Sequence, residues 1–206
     1  MSPRPPSRAV TAGYRLLTGL LVFAVAFTAL VVVSVAVGVA RDGNSLLYGQ
    51  TLTVPLQVNP DELGPLPEAV RFQGWPDVTV EVKDPTSREM LLRSAMDFGP
   101  VLLFIAGLWL LRGFARSVKD GDPFGSTNVQ RLRRLGFLLV LGAPAVELFN
   151  YALRSDLYNE VAPSQLDIGV AGFTLPAEAM LGGLGAFILA EVFAYGVRLR
   201  EDVEGT

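Results

Sequence analysis

Four long apolar runs decide what this chain can fold into: residues 14–40, 98–114, 135–153 and 173–197. Crossing the ~30 Å hydrocarbon core of a bilayer takes roughly 17–25 residues of helix, and each run is of that order. Lipid offers the backbone no other hydrogen-bond partner, so a crossing segment is helical or part of a closed barrel. That holds even for the β-branched 31–39 portion of the first run, which would disfavour a helix in water. Composition points the same way, with 50% of residues hydrophobic and 18% charged, below the roughly 25% charged of a soluble domain. Arg4 and Arg8 precede the first run and Arg15 stands at its start, as in a secretory signal, and Gly38-Val39-Ala40 offers small residues at its end. Its apolar core of about 25 residues exceeds the 7–15 of a signal peptide, so it reads as an uncleaved first helix.

The segments between the runs differ in kind. Residues 1–13, rich in Pro, Ser and Arg, read as a disordered tail. In 41–95, Leu52, Val54, Leu56 and Val58 alternate with Thr51, Thr53, Pro55 and Gln57, and Val78, Val80 and Val82 alternate with Thr79 and Glu81. A period of two predicts strands with one buried face. A shorter strand is expected at 70–73, with turns at Asn59-Pro60, Gly64-Pro65 and Asp84-Pro85. Residues 86–96 read as a helical lead-in to the second span. The expected fold is therefore an all-α membrane bundle of four transmembrane helices, with a small β-rich extracytoplasmic insert between helices 1 and 2. The spans are expected at 14–40, 96–116, 129–154 and 173–197. They are joined by the insert at 41–95, an elbow at 117–128 and a loop at 155–172, with a tail at 198–206.

Loop charge orients the spans. Arg112, Arg116, Lys119, Arg131, Arg133 and Arg134 surround the elbow, and Arg198 and Arg200 follow the fourth run. The 155–172 loop has neither Lys nor Arg, and the basic residues of 41–95 are scattered among more numerous acids. Basic loops stay in the cytoplasm. The expected localisation is the cell membrane, multi-pass, with the elbow and both termini cytoplasmic.

Catalytic chemistry finds little purchase. Without cysteine or histidine there is no disulfide, no thiolate or imidazole metal ligand and no histidine general base. No Gly-rich phosphate loop, nucleophile elbow or zinc-protease motif is present. The expectation is a non-enzyme with no cofactor and no metal. Within the spans, Glu147 lies near mid-run with Asn150 one turn on, and Glu191 lies toward the cytoplasmic end of the fourth run. A charge at mid-membrane costs on the order of 2.5–3.5 kcal/mol. Glu147 therefore reads either as part of a proton or ion path or as a packing group. Glu191 is open to the same two readings, with packing favoured because the elbow arginines are within reach. Gly182, Gly183 and Gly185 read as a close helix crossing. Trp75 reads as a loop core residue and Trp109 as a span residue.

The elbow runs Gly121-Asp122-Pro123-Phe124-Gly125-Ser126-Thr127-Asn128-Val129-Gln130-Arg131-Leu132-Arg133-Arg134-Leu135-Gly136. Gly121 suits a positive φ at a helix end, and Pro123 prevents the helix from continuing. Phe124 suits a hydrophobic staple or surface anchor, and Gly125 or Ser126 the N-cap. Val129, Leu132 and Leu135 then recur on one face, which predicts a helix start lying on the membrane surface with its arginines toward water and lipid phosphate. Together with Ala190-Glu191-Val192-Phe193, Gly196-Val197-Arg198-Leu199-Arg200-Glu201-Asp202 and Gly205, these residues resemble the signature of the bacterial family known as domain of unknown function 2975. The resemblance extends from the first span onward, weakest in the 41–95 insert. Gly125 departs from it, since Thr or Ser usually follows the Phe. The resemblance implies a four-span bacterial membrane protein of unknown function whose gene often neighbours one for a small helix-turn-helix regulator.

The function expected is that of a membrane-embedded sensor or regulator that docks such a cytosolic helix-turn-helix protein. The candidate docking residues are Asp122, Pro123, Phe124, Asn128, Arg131, Arg134, Arg198 and Arg200. The competing reading of these residues is a clasp that only locks helix ends together. Alternatives for the whole chain are small-molecule transport or resistance through Glu147, with the chain as a homo-oligomer, and a structural subunit of a membrane complex. The other expected partner is the lipid bilayer. Direct nucleic-acid binding is not expected, because the basic residues flank spans.

Overall fold

The computed structural model describes residues 8–40, 51–59, 77–83, 85–161, 168–169 and 172–204. Helix α1 is Arg8–Ala40, strand β1 Thr51–Val58, β2 Asp77–Lys83, and helix α2 Ser87–Lys119. Helix α3, Ser126–Phe137, continues through a π-helical stretch, Leu138–Gly142, into α4, Ala143–Val161. A two-residue strand β3, Ile168–Gly169, precedes helix α5, Ala177–Glu204. The strand expected at 70–73, Trp75 and residues 162–167, 170 and 171 of the expected 155–172 loop lie outside the described residues, while 155–161 of that loop belong to α4.

Four helical segments are long and apolar enough to cross a membrane: Arg8–Gly38, Ser87–Lys119, Ser126–Glu160 and Ala177–Arg200. Between 6% and 17% of each apolar stretch is buried. Phe23, Trp109, Leu141, Leu181 and Ile188 are all at least 60% exposed. Water covers such a surface at a large free-energy cost and a bilayer does not. The hydroxyls of Thr18 and Thr28 donate to the Tyr14 and Ala24 carbonyls one turn back, at 2.8 and 2.7 Å, which satisfies them inside an apolar helix.

Helix α2 opens with a reciprocal cap. The Thr86 amide donates to the Glu89 carboxylate at 2.7 Å, and the Glu89 amide to the Thr86 hydroxyl at 3.3 Å. The Thr-x-x-Glu spacing thus satisfies two amides that the first turn leaves unpaired. The lead-in and the second span form one helix, which continues past Pro100. Strand β1 pairs antiparallel with β2 from Thr51↔Lys83 to Gln57↔Asp77, and with β3 at Gln57↔Gly169 and Val58↔Ile168. Proline cannot donate to a ladder, and Pro55 falls outside the part of β1 that β3 pairs.

Contacts divide the chain into two units. One comprises Met1–Thr28, Pro100–Val146 and Leu175–Thr206, the other Ala29–Gly99 and Glu147–Thr174. Among the described residues, the first unit has a core of Val129, Leu132 and Ala190, flanked by Phe114, Phe193, Ala194 and Val197. The second buries Val35, Val58, Met90, Met96 and Leu157.

Candidate functional site

The elbow is shorter than the sequence suggests, because α2 runs to Lys119 and α3 starts at Ser126. Its entry is a Schellman turn. The Gly121 amide donates to the Val118 carbonyl at 3.2 Å and the Asp122 amide to the Ser117 carbonyl at 3.0 Å. Gly121 takes φ +86°, a conformation that costs a residue with a Cβ about 1–2 kcal/mol. The N-cap of α3 is Gly125, at φ −71° and ψ 144°, and no side chain caps it. A Cβ there would meet the Asp122 carboxylate. Glycine therefore stands at this N-cap where Asp122 occupies the space a side chain would need.

Asn128 supplies the order that the missing cap does not. It is fully buried. Its Nδ2 donates to the Pro123 carbonyl at 2.9 Å and the Asp122 carbonyl at 3.3 Å, and its Oδ1 accepts from Arg131 at 2.9 Å. The same Arg131 nitrogen donates to the Gly113 carbonyl on α2 at 2.8 Å. A Cβ at Gly113 would come within 2.9 Å of Arg131 Nε, so the glycine leaves the guanidinium its path. Arg131, expected to face water and lipid phosphate, instead turns inward and ties α3 to α2.

The expected surface-lying helix start is corrected as well. Val129 and Leu132 pack with Ala190, Phe193, Ala194 and Val197 of α5 rather than on a membrane surface. Helices α3 and α5 run antiparallel, and their paired positions step in opposite directions. Asp122 meets Arg200 at 3.2 Å, and Arg133 meets Glu191 at 2.7 Å. Phe124 lies over Gly196, where a Cβ would come within 3.1 Å of its ring. The Phe124 ring also sits 5.3 Å from that of Phe193, which packs edge-on against Phe114 at 5.6 Å. Further along, a Cβ at Gly136 would touch the Phe187 ring at 3.0 Å, and one at Gly183 would come within 2.9 Å of the Gly136 carbonyl. Gly183 and Gly136 thus make the close crossing. Gly185 has nothing within 4 Å and Gly182 only Leu139 at 3.9 Å, so two of the three glycines assigned to it take little part.

Asp122, Pro123, Phe124, Asn128, Arg131 and Arg200 therefore all take part in contacts within the chain. Arg134 and Arg198 are exposed, and Arg198 Nε donates to the Ala194 carbonyl at 3.4 Å. Sequence reading misses the role of Ser117, whose hydroxyl donates to the Asp122 carbonyl at 2.8 Å. It also misses Arg112, which donates to Thr18 Oγ1 at 3.1 Å and to the Tyr14 hydroxyl at 3.0 Å. No local pattern links α1 to α2, so neither contact has a signal in the sequence.

In the second unit, Glu147 pairs with Arg154 two turns on in α4, and Arg154 Nε donates to the Asn150 carbonyl at 3.3 Å. The Asn150 side-chain oxygen is buried without a partner among the described residues. The companion that answers Glu147 is thus a cation and not the Asn150 amide. Arg88 pairs with Glu160 in the same unit. No group of three or more acidic residues capable of holding a metal occurs among the described residues.

A family model described as "Protein of unknown function (DUF2975)" matches residues 73–206. The match takes in the elbow and α5, and it begins well after the first span, where the resemblance was expected to start. No curated protein and no solved structure matches the chain.

Proposed function

The chain belongs to this family of unknown function, so its own geometry has to supply the reading, and we propose that it is a membrane-embedded regulator that holds a small cytosolic helix-turn-helix protein. In this reading the elbow and both termini face the cytoplasm, and the strand pair and the 155–172 loop face the other side. The basic residues around the elbow and after the fourth run support that orientation.

The observation that carries the reading is the surface that the clasp leaves uncovered. With Asp122 holding Arg200 and Phe124 seated on Gly196, the last turns of α5 stay ordered to Glu204. Leu199 and Val203 lie one turn apart there, 48% and 75% exposed, and Glu201, Asp202 and Glu204 interleave and follow them in the sequence. Two apolar residues at helical spacing with acidic neighbours suit a helix-in-groove contact with a small basic protein. The clasp positions this surface, and the end of α5 supplies it. The helix-turn-helix partner implied by the family resemblance is of that chemistry.

The transport alternative draws on Glu147. Its pairing with Arg154 favours charge compensation within α4 over a carboxyl that exchanges protons. We assign the chain no catalytic role.

The test is affinity purification of the full chain from native membranes, with identification of the soluble partners recovered. A small helix-turn-helix protein should co-purify, and Val203→Asp or truncation before Glu201 should abolish its recovery while leaving the melting temperature nearly unchanged. Equal recovery with both variants, or no such partner with the intact chain, would refute the proposal.

A further inference from the structure

Beside the clasp, α3 and α5 enclose an open groove of about 320 Å³ lined by Ser126, Val129, Gln130, Arg133, Ala194, Val197 and Arg198. Positions 126, 129, 130 and 133 share one face of α3, and 194, 197 and 198 one face of α5, at the i, i+3, i+4 spacing that aligns side chains. The floor is apolar, made by Val129, Ala194 and Val197. The polar groups are all hydrogen-bond donors in reach of an anion: the Ser126 hydroxyl, the Gln130 amide and two guanidinium groups.

We propose that this groove binds the headgroup of an anionic phospholipid. The charge balance selects the ligand. Glu191 neutralises Arg133 at 2.7 Å, which leaves Arg198, among the described residues, as the uncompensated charge of the groove. One net positive charge matches the single negative charge of a phosphodiester. A zwitterionic lipid brings an ammonium group as well and meets the same arginine with no net charge. Arginine also presents several N–H groups in a planar fork that fits phosphate oxygens. Depth supports the assignment. The groove lies where α3 begins and α5 leaves its apolar stretch, the level at which headgroups sit if these helices cross a bilayer. The acyl chains then continue along the exposed apolar side chains of Phe137 on α3, one turn on from Arg133, and Leu184 on α5, on the Arg198 side of the helix. Arg133 orients the site through Glu191, Gln130 and Ser126 bond the phosphate, and Arg198 supplies the attraction. The site rests on the chain crossing a membrane and is independent of any protein partner.

Native mass spectrometry and thermal unfolding of the full chain in detergent test it, with phosphatidylglycerol, phosphatidylcholine or inorganic phosphate added. Phosphatidylglycerol should be retained and should raise the melting temperature, whereas phosphatidylcholine and free phosphate should not. Arg198→Ala should weaken retention of phosphatidylglycerol roughly tenfold, the size of one lost charge-assisted hydrogen bond. Its melting temperature in phosphatidylcholine should equal that of the unmodified chain, which separates lost binding from lost folding. Gln130→Ala should give a smaller loss. Equal retention by Arg198→Ala, or equal stabilisation by the two lipids, overturns the proposal. Equal stabilisation by inorganic phosphate alone makes the groove a site for a soluble anion and overturns it too. Helix-turn-helix capture by Gln130→Ala should be unchanged, so failure here and failure of the docking proposal give different results.

Discussion

Removing the Asn128 amide leaves the Asp122 and Pro123 carbonyls without that donor and Arg131 without one of its two acceptors. Each unsatisfied buried polar group costs about 1–3 kcal/mol. Asn128→Ala should therefore lower the apparent melting temperature in detergent by several degrees, and an unchanged value would show that the elbow is ordered by other contacts. Glycine plays two different parts in the same region. Gly121 is required for its backbone angle and Gly196 for its lack of a side chain beneath Phe124. The charged residues divide in the same way. Arg131 and Arg133 are two positions apart on α3, yet one turns back toward α2 and the other crosses to Glu191 on α5. Read only as positive-inside signals the two look alike, because that effect depends on where charge lies and not on its partner.

At the level of elements, the π-helical stretch Leu138–Gly142 sits where the third span is gripped from two sides. A Cβ at Gly142 would meet Leu103 of α2 at 3.0 Å, and Gly183 of α5 is against Val140 and Leu139. One extra residue in a turn rotates the rest of the helix by about 100°, which sets the face that Gly142 presents to α2. Deleting Leu141, which is 62% exposed, should restore α-helical bonding and lose that alignment. The melting temperature should fall by roughly 5–10 °C, as the loss of a few kcal/mol does in a chain of this size. No change would make the stretch a passive insertion. Nothing in Leu138-Leu139-Val140-Leu141-Gly142 announces a π turn, and the residues that grip it, Leu103 and Gly183, lie on other elements. The helices are legible for the opposite reason, since apolarity and length are properties of each run alone. The Gly121 turn is legible because few residues but glycine adopt its φ. On α3 the buried face can be read from Val129 and Leu132, but its cover cannot. A periodic apolar face reads the same against α5 as against lipid.

For the whole molecule, orientation is the property most directly open to experiment. The chain has no cysteine, so single cysteines report their own position cleanly. Ser87→Cys and Ser164→Cys should react with an impermeant thiol reagent on intact cells, and Ser126→Cys only after permeabilisation. Labelling of Ser126→Cys from outside would invert the proposed topology and with it the cytoplasmic docking face. The clasp also has a bearing on how the protein is made. Its two halves are far apart in sequence, 58 residues between Arg133 and Glu191 and 78 between Asp122 and Arg200. A ribosome adding about 5–20 residues per second emits Asp122 some 4–16 seconds before Arg200. For that interval the elbow exists without the helix that fixes it, and the first three spans must enter the membrane with Phe124, Asp122 and Arg133 unengaged. Closure of the clasp therefore coincides with arrival of the last helix. A chain that stalls before α5 keeps Asp122, Phe124 and Arg133 without their partners on that helix.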